Sequence, residues 1–384
     1  QYGGYTGMKP VEYRDFIYSL ADKTSFPKEK IILGGDHLGP VAWKSMQADK
    51  AMEEAKVLVS QFVLAGFTKI HIDTSMHLGS DSLNEKLDTE EIAERSAVLA
   101  QTAESAYDQL KSANPDALHP VYVIGSEVPV PGGNQEEEDD MQVTKATDFE
   151  ETVNVFRNAF KGKKRDAAWE NVVAVVVQPG VEFGDDIIHE YDRKAAKELC
   201  NALRKFPDLV FEGHSTDYQT ANALSKMVED GIAILKVGPA LTFALREALF
   251  AMAHIENELL RNRRDIQLSN FIDVLEEEML KNYGNWKNYY HGSEDKQRLA
   301  RKYSFLDRCR YYLPVWEVKE AITRMIQNLN SVDIPLALLS QYMPAQYVKV
   351  RNRQLENSPA SLIKDRVVDC IDDYLYGCKR ICHK

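Results

Sequence analysis

Residues 31–40, with the sequence IILGGDHLGP, place a short apolar run directly before an Asp–His pair that glycines enclose. A run this short, bounded by glycine and proline, is typical of a strand buried on both faces of a sheet. Asp36 and His37, which follow the run, suit a turn in which the aspartate caps the next segment. They equally suit a metal ligand beside a catalytic acid. The rest of the chain has to separate these two interpretations.

Five further apolar runs, rich in valine and isoleucine, resemble the first. The six predicted strands are Ile31–Gly35, Lys69–Asp73, Val121–Gly125, Val172–Gln178, Leu209–Gly213 and Ile232–Val237. Helical patterns follow them, over Ala48–Ala65, Thr89–Ser112, Asp148–Phe160, Arg193–Lys205, Tyr218–Glu229 and Leu241–Leu260. Strand and helix therefore alternate along the chain, which predicts a parallel sheet with right-handed crossovers.

The number of strands bears on the architecture, because a closed (β/α)₈ barrel needs eight of them. Residues 1–23 read as a loop and an amphipathic helix, which is how the second half of a βα unit begins. We therefore expect an α/β fold of the TIM-barrel type whose first two strands lie before Gln1. An open sheet is the alternative.

The alternation stops after about residue 262, and the rest of the chain reads as helices joined by loops. The clearest helical patterns there cover Ile266–Tyr283, Val315–Leu329 and Ser361–Tyr376. The sequence thus predicts a barrel domain over residues 1–262 and a helical C-terminal extension over residues 263–384.

The charge balance narrows the range of partners. The 384 residues carry a net charge of −12, which argues against nucleic acids and anionic membranes. A local group of lysines can still bind a phosphorylated substrate. The five cysteines lack framework spacing, and no apolar run approaches the roughly 20 residues that span a bilayer. We expect a cytoplasmic protein with reduced thiols.

Polar residues recur at the carboxyl ends of the predicted strands. They are Asp36, His37, His71, Asp73, Glu127, Gln178, Glu182, Glu212, His214, Asp217 and Lys236. Because the carboxyl ends of parallel strands meet at one edge of a sheet, such a recurrence is typical of an α/β active site.

Residues two apart on a strand share a face, so His71 faces the same way as Asp73, and Glu212 the same way as His214. Imidazoles and carboxylates that converge from separate strands can hold a divalent metal, and a nearby carboxylate can move a proton. Purely structural roles remain open, such as core histidines held by hydrogen bonds or a Lys236–Glu212 ion pair.

Several stretches together resemble the GatZ/KbaZ family, known as the non-catalytic subunit of class II tagatose-bisphosphate aldolase. They are GGDHLGPVAW (34–43), FTKIHIDTSM (67–76), GSEVPVPGG (125–133), VVVQPGVEFGD (175–185), FEGHSTDYQ (211–219), ILKVGPALTFALREALFA (234–251) and IPLALLSQYMPAQY (334–347). Some members carry the older label of tagatose-6-phosphate kinase, but the sequence has no P-loop to support it.

The family resembles zinc-dependent class II aldolase barrels, which implies roles for individual residues. Asp36 matches the catalytic acid/base, His37 and His214 match zinc ligands, and Glu127 resembles a functional glutamate. The resemblance therefore implies a divalent metal cofactor, with Zn²⁺ as the expected ion.

The sequence departs from the aldolase pattern at two places. A third zinc-ligand histidine is absent from the stretch that carries Gln178 and Glu182, so either residue is expected to replace it. Asp217 follows His214 where aldolases have a Gly-rich phosphate loop, and this placement suits catalysis at a sugar hydroxyl. The remaining candidates are expected to contact the substrate: His71, Asp73, Glu212, Ser215 and Lys236.

The resemblance implies a subunit of D-tagatose-1,6-bisphosphate aldolase that supports a class II catalytic subunit within an oligomer. The alternative is an independent metal-dependent enzyme, either an aldolase-type lyase or a 4-epimerase of ketohexoses or their 6-phosphates. Epimerisation would proceed by C3–C4 cleavage and religation or through an enediolate. In both cases the expected small-molecule partner is a ketohexose phosphate.

Overall fold

A computed structural model describes the chain over residues 7–82, 87–126, 142–162 and 166–379. Its centre is a six-stranded sheet with the strand order β1-β2-β3-β4-β7-β8, in which every neighbouring pair is parallel. The strands are β1 (Gly34–Leu38), β2 (Lys69–Ile72), β3 (Val121–Ile124), β4 (Val172–Val177), β7 (Val210–Gly213) and β8 (Ile232–Leu235). The predicted α/β fold with a parallel sheet is confirmed.

The position of the first strand differs from the prediction of Ile31–Gly35. Strand β1 spans Gly34–Leu38, so the Asp–His pair lies inside the strand rather than after it. The apolar run was a misleading signal, because Ile32 is 75% exposed and only Leu33 of the three apolar residues is buried. The strand is instead defined by pairing with β2, which begins where Gly34 lies opposite Lys69.

The sheet is strongly curled. Strands β1 and β8 are its two edges, five strand spacings apart, or roughly 24 Å if the sheet were flat. Nevertheless Lys236, which directly follows β8, places its Nζ 2.7 Å from Oδ2 of Asp36 in β1. Two side chains cannot span 24 Å, so the carboxyl ends of the strands must bend round towards each other.

Helices pack on the convex side of the sheet. They are α1 (Pro10–Thr24), α2 (Ala48–Leu64), α3 (Thr89–Ala113), α4 (Ala146–Gly162), α5 (Asp166–Glu170), α6 (Lys197–Leu203), α7 (Ala221–Glu229) and α8 (Pro239–Leu260). Local signals fix several starts, since the side chains of Asp88 and Thr220 cap α3 and α7, and Pro239 occupies the first turn of α8. A small antiparallel hairpin that the sequence did not predict, β5 (Glu182–Phe183) and β6 (Ile188–His189), lies between β4 and α6.

The two faces of the sheet differ in chemistry. Alternate residues such as Ile70, Tyr122 and Phe211 join the large hydrophobic core under the helices. The residues between them point to the concave side, where Val123 and Val176 form a small apolar floor. The concave side is therefore apolar at its base, and polar residues gather above it at the carboxyl ends of the strands.

The chain after α8 is helical, as the sequence predicts. Its helices are α9 (Phe271–Lys281), α10 (Glu294–Tyr303), α11 (Trp316–Asn330), α12 (Leu336–Tyr342), α13 (Pro344–Arg351) and α14 (Pro359–Lys379). They share a second hydrophobic core with one face of α8, and buried Trp286, Tyr290 and Tyr312 anchor the aromatic-rich loops in it. Within the described ranges, no helix is both long enough and apolar enough to cross a membrane.

Candidate metal centre

An irregularity in β1 places its polar residues. Gly35 lies opposite Ile70 and Leu38 lies opposite Ile72, so Asp36 and His37 together oppose the single residue His71. This is a β-bulge, and His37 adopts a left-handed φ of 48° within it. Neighbours in a regular strand point to opposite faces. The bulge removes that restriction, and both side chains reach the mouth of the curled sheet.

Three imidazoles converge at this mouth from three strands. The ring centroids of His37 and His71 are 4.9 Å apart, those of His37 and His214 are 5.2 Å apart, and those of His71 and His214 are 5.5 Å apart. Each ring offers a nitrogen that lies within 4.8 Å of the corresponding atoms of the other two. The structure thus brings His37 and His214 together and adds His71, which the sequence had placed among the substrate contacts.

Each imidazole has a carboxylate partner on one of its two ring nitrogens. Oδ2 of Asp73 lies 2.8 Å from His37 Nδ1, Oδ1 of Asp36 lies 2.9 Å from His71 Nδ1, and Oε1 of Glu212 lies 3.0 Å from His214 Nε2. A nitrogen that donates to a carboxylate leaves the other nitrogen of the ring with a free lone pair. Histidines that bind metals usually have such a partner, which fixes the tautomer and the ring orientation.

The second nitrogen of His71 gives independent support for a metal site. His71 is fully buried, and its Nε2 finds no hydrogen-bond partner among the residues that the structure describes. Leaving a buried polar atom unsatisfied costs about 1–3 kcal/mol, so such an atom calls for an explanation. A metal ion would satisfy it, and a second ligand group with His71, formed with Asp36 and Glu212, also has its atoms within 4.8 Å of one another. The residues present therefore fit a divalent cation.

The protonation states of the histidines and carboxylates also suit metal binding. Burial lowers the pKa of His71, and it lowers the pKa of His214 to about 4, so both rings are neutral at pH 7. Burial opposes ionisation of Glu212, but the His214 hydrogen bond and the Lys69 charge outweigh it and lower its pKa to about 2. In the same way, the contacts with His71 and Lys236 outweigh burial and hold the pKa of Asp36 well below its usual range. Neutral imidazoles and ionised carboxylates are the forms that bind metals.

Two lysines accompany the histidines. Nζ of Lys69 lies 2.6 Å from Oε2 of Glu212, so Lys69 takes the ion pair that the sequence had offered as a structural role for Lys236. Lys69 was not among the site residues predicted from the sequence, although it lies two residues before His71 and therefore shares its face of β2. Lys236 instead reaches Asp36, at 2.7 Å.

Other residues predicted for the site have different contacts. Oδ1 of Asp217 accepts hydrogen bonds from the backbone N–H groups of Gly238 and Ala240, so the buried carboxylate caps α8. Glu127 lies outside the described residues. Ser215 adopts a left-handed φ of 54° directly after His214.

The two residues proposed as the third metal ligand also have local partners. Oε1 of Gln178 accepts from the N–H groups of Gly180 and Val181, and Oε1 of Glu182 accepts from the N–H of Phe183. Neither residue joins the three-histidine group. His71 is the third imidazole there, because the bulge in β1 brings His37 level with it on the neighbouring strand.

Comparison with known proteins assigns the chain to a family. Residues 1–379 match the family described as D-tagatose-1,6-bisphosphate aldolase subunit GatZ/KbaZ-like. The chain belongs to the GatZ/KbaZ family. The resemblance noted in the sequence is thereby confirmed over nearly the whole chain.

Individual GatZ/KbaZ relatives show the extent of the similarity. A Salmonella dublin protein and a Klebsiella pneumoniae subsp. pneumoniae protein, both named D-tagatose-1,6-bisphosphate aldolase subunit GatZ, are 45% identical over 379 residues, which is 98% of this chain and 87% of each relative. The crystal structure of a Sinorhizobium meliloti 1021 protein, named "probable tagatose 6 phosphate kinase", is 41% identical with a TM-score of 0.88. That match covers 98% of this chain and 90% of the other.

Proposed function

We propose that this chain acts as a GatZ-type subunit of D-tagatose-1,6-bisphosphate aldolase, and that its three-histidine group is a zinc site working on ketohexose phosphates. The subunit role is supported by the names of relatives that are 45% identical over 98% of the chain. Those names refer to an aldolase assembly, so the proposed macromolecular partner is a class II catalytic subunit.

One observation supports the proposed metal site most directly. Every imidazole of the group has a carboxylate on one nitrogen, each ring offers a nitrogen within 4.8 Å of those of the other two, and among the described residues the buried second nitrogen of His71 has no hydrogen-bond partner. A structural hydrogen-bond network would be expected to satisfy both nitrogens of a buried ring. Three nitrogen ligands and one open position are typical of catalytic zinc sites.

The chain's own residues define the rest of the chemistry. Asp36 is 43% exposed at its side chain and ionised at neutral pH, so it can accept a proton from a bound sugar hydroxyl and return it. His71 and Lys236 hold the carboxylate in place. When bound, a divalent ion would polarise a sugar oxygen and stabilise the negative charge that develops there. Ser215 and Lys236 remain candidates for substrate contacts.

A second candidate function is 4-epimerisation of a ketohexose 6-phosphate by this chain alone. The exposed carboxylate of Asp36 beside a buried cluster favours it, because a subunit that only stabilises a partner has no need for an accessible base. Cleavage and religation of the C3–C4 bond fits a carboxylate at this position. The base takes the proton of the C4 hydroxyl, C4 becomes an aldehyde while the C1–C3 fragment becomes an enediolate, and addition of that fragment to the other face of the aldehyde, with return of the proton, inverts C4.

The architecture suggests three further features. Two additional strands between β8 and β1 would close the curled sheet into a (β/α)₈ barrel, and we propose this closed form. Residues 263–384 would form a helical extension with its own core, since the second hydrophobic cluster gathers there. We further propose that the protein works as an oligomer in the cytoplasm.

Metal analysis followed by an activity assay tests these proposals. The purified protein should contain about one zinc ion per chain, and the metal should be lost with a chelator. The protein is then incubated with tagatose 6-phosphate or fructose 6-phosphate, without and with a class II aldolase subunit. Conversion of a sugar phosphate by the chain without a partner supports the epimerase function. Stimulation of the aldolase without such conversion supports the subunit function. If the chain neither converts the sugar phosphates nor stimulates the aldolase, both proposed functions are wrong.

A further inference from the structure

The amino group of Lys236 lies at the centre of the candidate metal site. Its Nζ is 2.7 Å from Oδ2 of Asp36, 2.9 Å from Nε2 of His37 and 3.3 Å from Nδ1 of His214, the ring nitrogen that does not bind Glu212. Two of these atoms belong to the three-histidine group, and the third belongs to the residue that orients His71. One amino group thus contacts two of the three imidazoles and the carboxylate that orients the third.

Such a position is incompatible with a bound cation. Metal–nitrogen bonds to histidine are about 2.0–2.1 Å long, which is shorter than the contacts that Nζ makes with the same side chains. An ion held by these side chains would occupy the space that Nζ now fills. An ammonium group that is ion-paired with Asp36 would also repel a metal ion at such short range.

We propose that Lys236 and the metal ion are alternative occupants of this site, and that the lysine leaves when the ion binds. The inference rests on the proposed metal site and adds an internal competitor to it. The lysine side chain is 23% exposed and lies against the exposed Asp36 carboxylate, so it has an outward path. After displacement, the amino group faces the mouth, where an anionic substrate group would enter.

The same contacts would balance the charge of the cluster whenever no metal is bound. Three carboxylates, those of Asp36, Asp73 and Glu212, surround the imidazoles. Lys69 pairs with Glu212 and Lys236 pairs with Asp36. Removing Lys236 would leave the Asp36 carboxylate without its cation, so the metal-free protein should lose stability while the affinity for an added cation rises.

Zinc titration of two lysine variants tests the proposal. Wild type, Lys236→Met and Lys69→Met are stripped with a chelator and titrated with Zn²⁺ against a chromophoric competitor. Because zinc must displace a charged hydrogen-bonding group in wild type, Lys236→Met should bind zinc at least about tenfold more tightly than wild type. Lys69→Met removes a similar charge from the same concave side without vacating the space between the imidazoles, so its gain should be distinctly smaller.

A measurement on the wild-type protein does not depend on the folding of any variant. An amine-reactive reagent is applied to the full chain with and without Zn²⁺, and labelling of each lysine is quantified by mass spectrometry. Labelling of Lys236 should rise several-fold when zinc is present, because the amino group is released towards solvent. Lys69 serves as the internal reference, since its ion pair with Glu212 should persist.

The possible outcomes distinguish a failure of the lysine–metal exchange from a failure of the metal site itself. Tighter zinc binding by Lys236→Met, or zinc-dependent exposure of Lys236, supports the exchange. If zinc binds wild type and Lys236→Met equally and labelling of Lys236 stays constant, the exchange is wrong while the metal site stands. If neither protein binds zinc, both proposals are overturned.

Discussion

Oδ1 of Asp36, an exposed carboxylate at the mouth of the sheet, lies 2.9 Å from Nδ1 of the fully buried His71. The two residues lie opposite each other on neighbouring strands, where the bulge in β1 shifts the register. The Asp36 carboxylate is therefore suited to two roles. One oxygen orients the candidate ligand His71, and the exposed side of the group is accessible to substrate. Substitutions of this pair should consequently affect both metal binding and turnover.

Replacing Asp36 by asparagine removes the proposed base and keeps its shape. General acid–base catalysis typically contributes about 10²- to 10⁴-fold, so conversion of a ketohexose 6-phosphate by the isolated chain should fall on that scale in Asp36→Asn. The assay compares wild type and variant under saturating zinc. Melting temperature and stimulation of a partner aldolase serve as controls. An inactive wild type together with undiminished stimulation by the variant would assign the chain a purely supporting role.

Replacing His71 by glutamine should weaken zinc binding. Loss of a mere orienting partner costs about 10–100-fold in metal affinity, so loss of a ligand should cost at least about 100-fold. His119→Gln is the matched control, because His119 also lies beside a carboxylate, with Nε2 3.2 Å from Glu104, but outside the three-histidine group. Equal zinc affinities for the two variants in chelator competition would contradict the role of His71.

Alanine at position 39 should disrupt the site from the backbone. A Cβ on Gly39 would lie 1.7 Å from the carbonyl oxygen of Asp73, the residue that holds His37. Such overpacking should cost about 3 kcal/mol or more of unfolding free energy and should lower zinc affinity as well. Gly184→Ala is the control, since its Cβ would meet no atom within 4 Å. Denaturant unfolding of both variants decides the matter, and equal stabilities would refute the close approach.

A buried aspartate remote from the histidines predicts a pH dependence of stability. Burial raises the pKa of Asp307 to about 6, although Thr242 and Cys309 donate hydrogen bonds to it. The folded chain therefore holds this proton more tightly than the unfolded chain, and the contribution of Asp307 to stability falls as pH rises from 4 to 7. The expected fall is about 2 kcal/mol.

Asparagine at position 307 removes this titration while it tolerates the left-handed φ of 46°. The stability of Asp307→Asn relative to wild type should therefore increase by about 2 kcal/mol between pH 4 and pH 7. Urea unfolding at several pH values measures the difference between the two proteins, in which the other titrating groups cancel. A difference that is constant or declines with pH would show that folding does not raise the pKa of Asp307.

Most of the sheet could be predicted because its strands are buried on both faces and therefore appear as apolar runs. The run Val172–Gln178 corresponds to β4 at Val172–Val177, with a difference of one residue. The first strand could not be placed in this way. Glycines and polar residues make up most of Gly34–Leu38, and its position depends on backbone pairing with β2, which leaves no hydrophobic trace.

The candidate site was only partly predictable for a related reason. Strand periodicity correctly placed His71 and Asp73 on one face, but their separate partners depend on the register between strands. Asp217, a strand-end carboxylate predicted to be catalytic, caps α8 in the structure, and the sequence did not predict this contact. The path of a loop decides such a role, and residue spacing does not describe that path.

The bulge in β1 also has a consequence for how this site tolerates insertions and deletions. Where a regular strand presents one side chain to the mouth, β1 presents two, Asp36 and His37, against His71 alone. Deleting one residue here would restore regular alternation and turn one of the two groups towards the helices. The site therefore requires the spacing between Gly35 and Leu38 as well as the acid and the imidazole themselves. A sequence alignment that removes the extra residue of the bulge would pair the wrong residues.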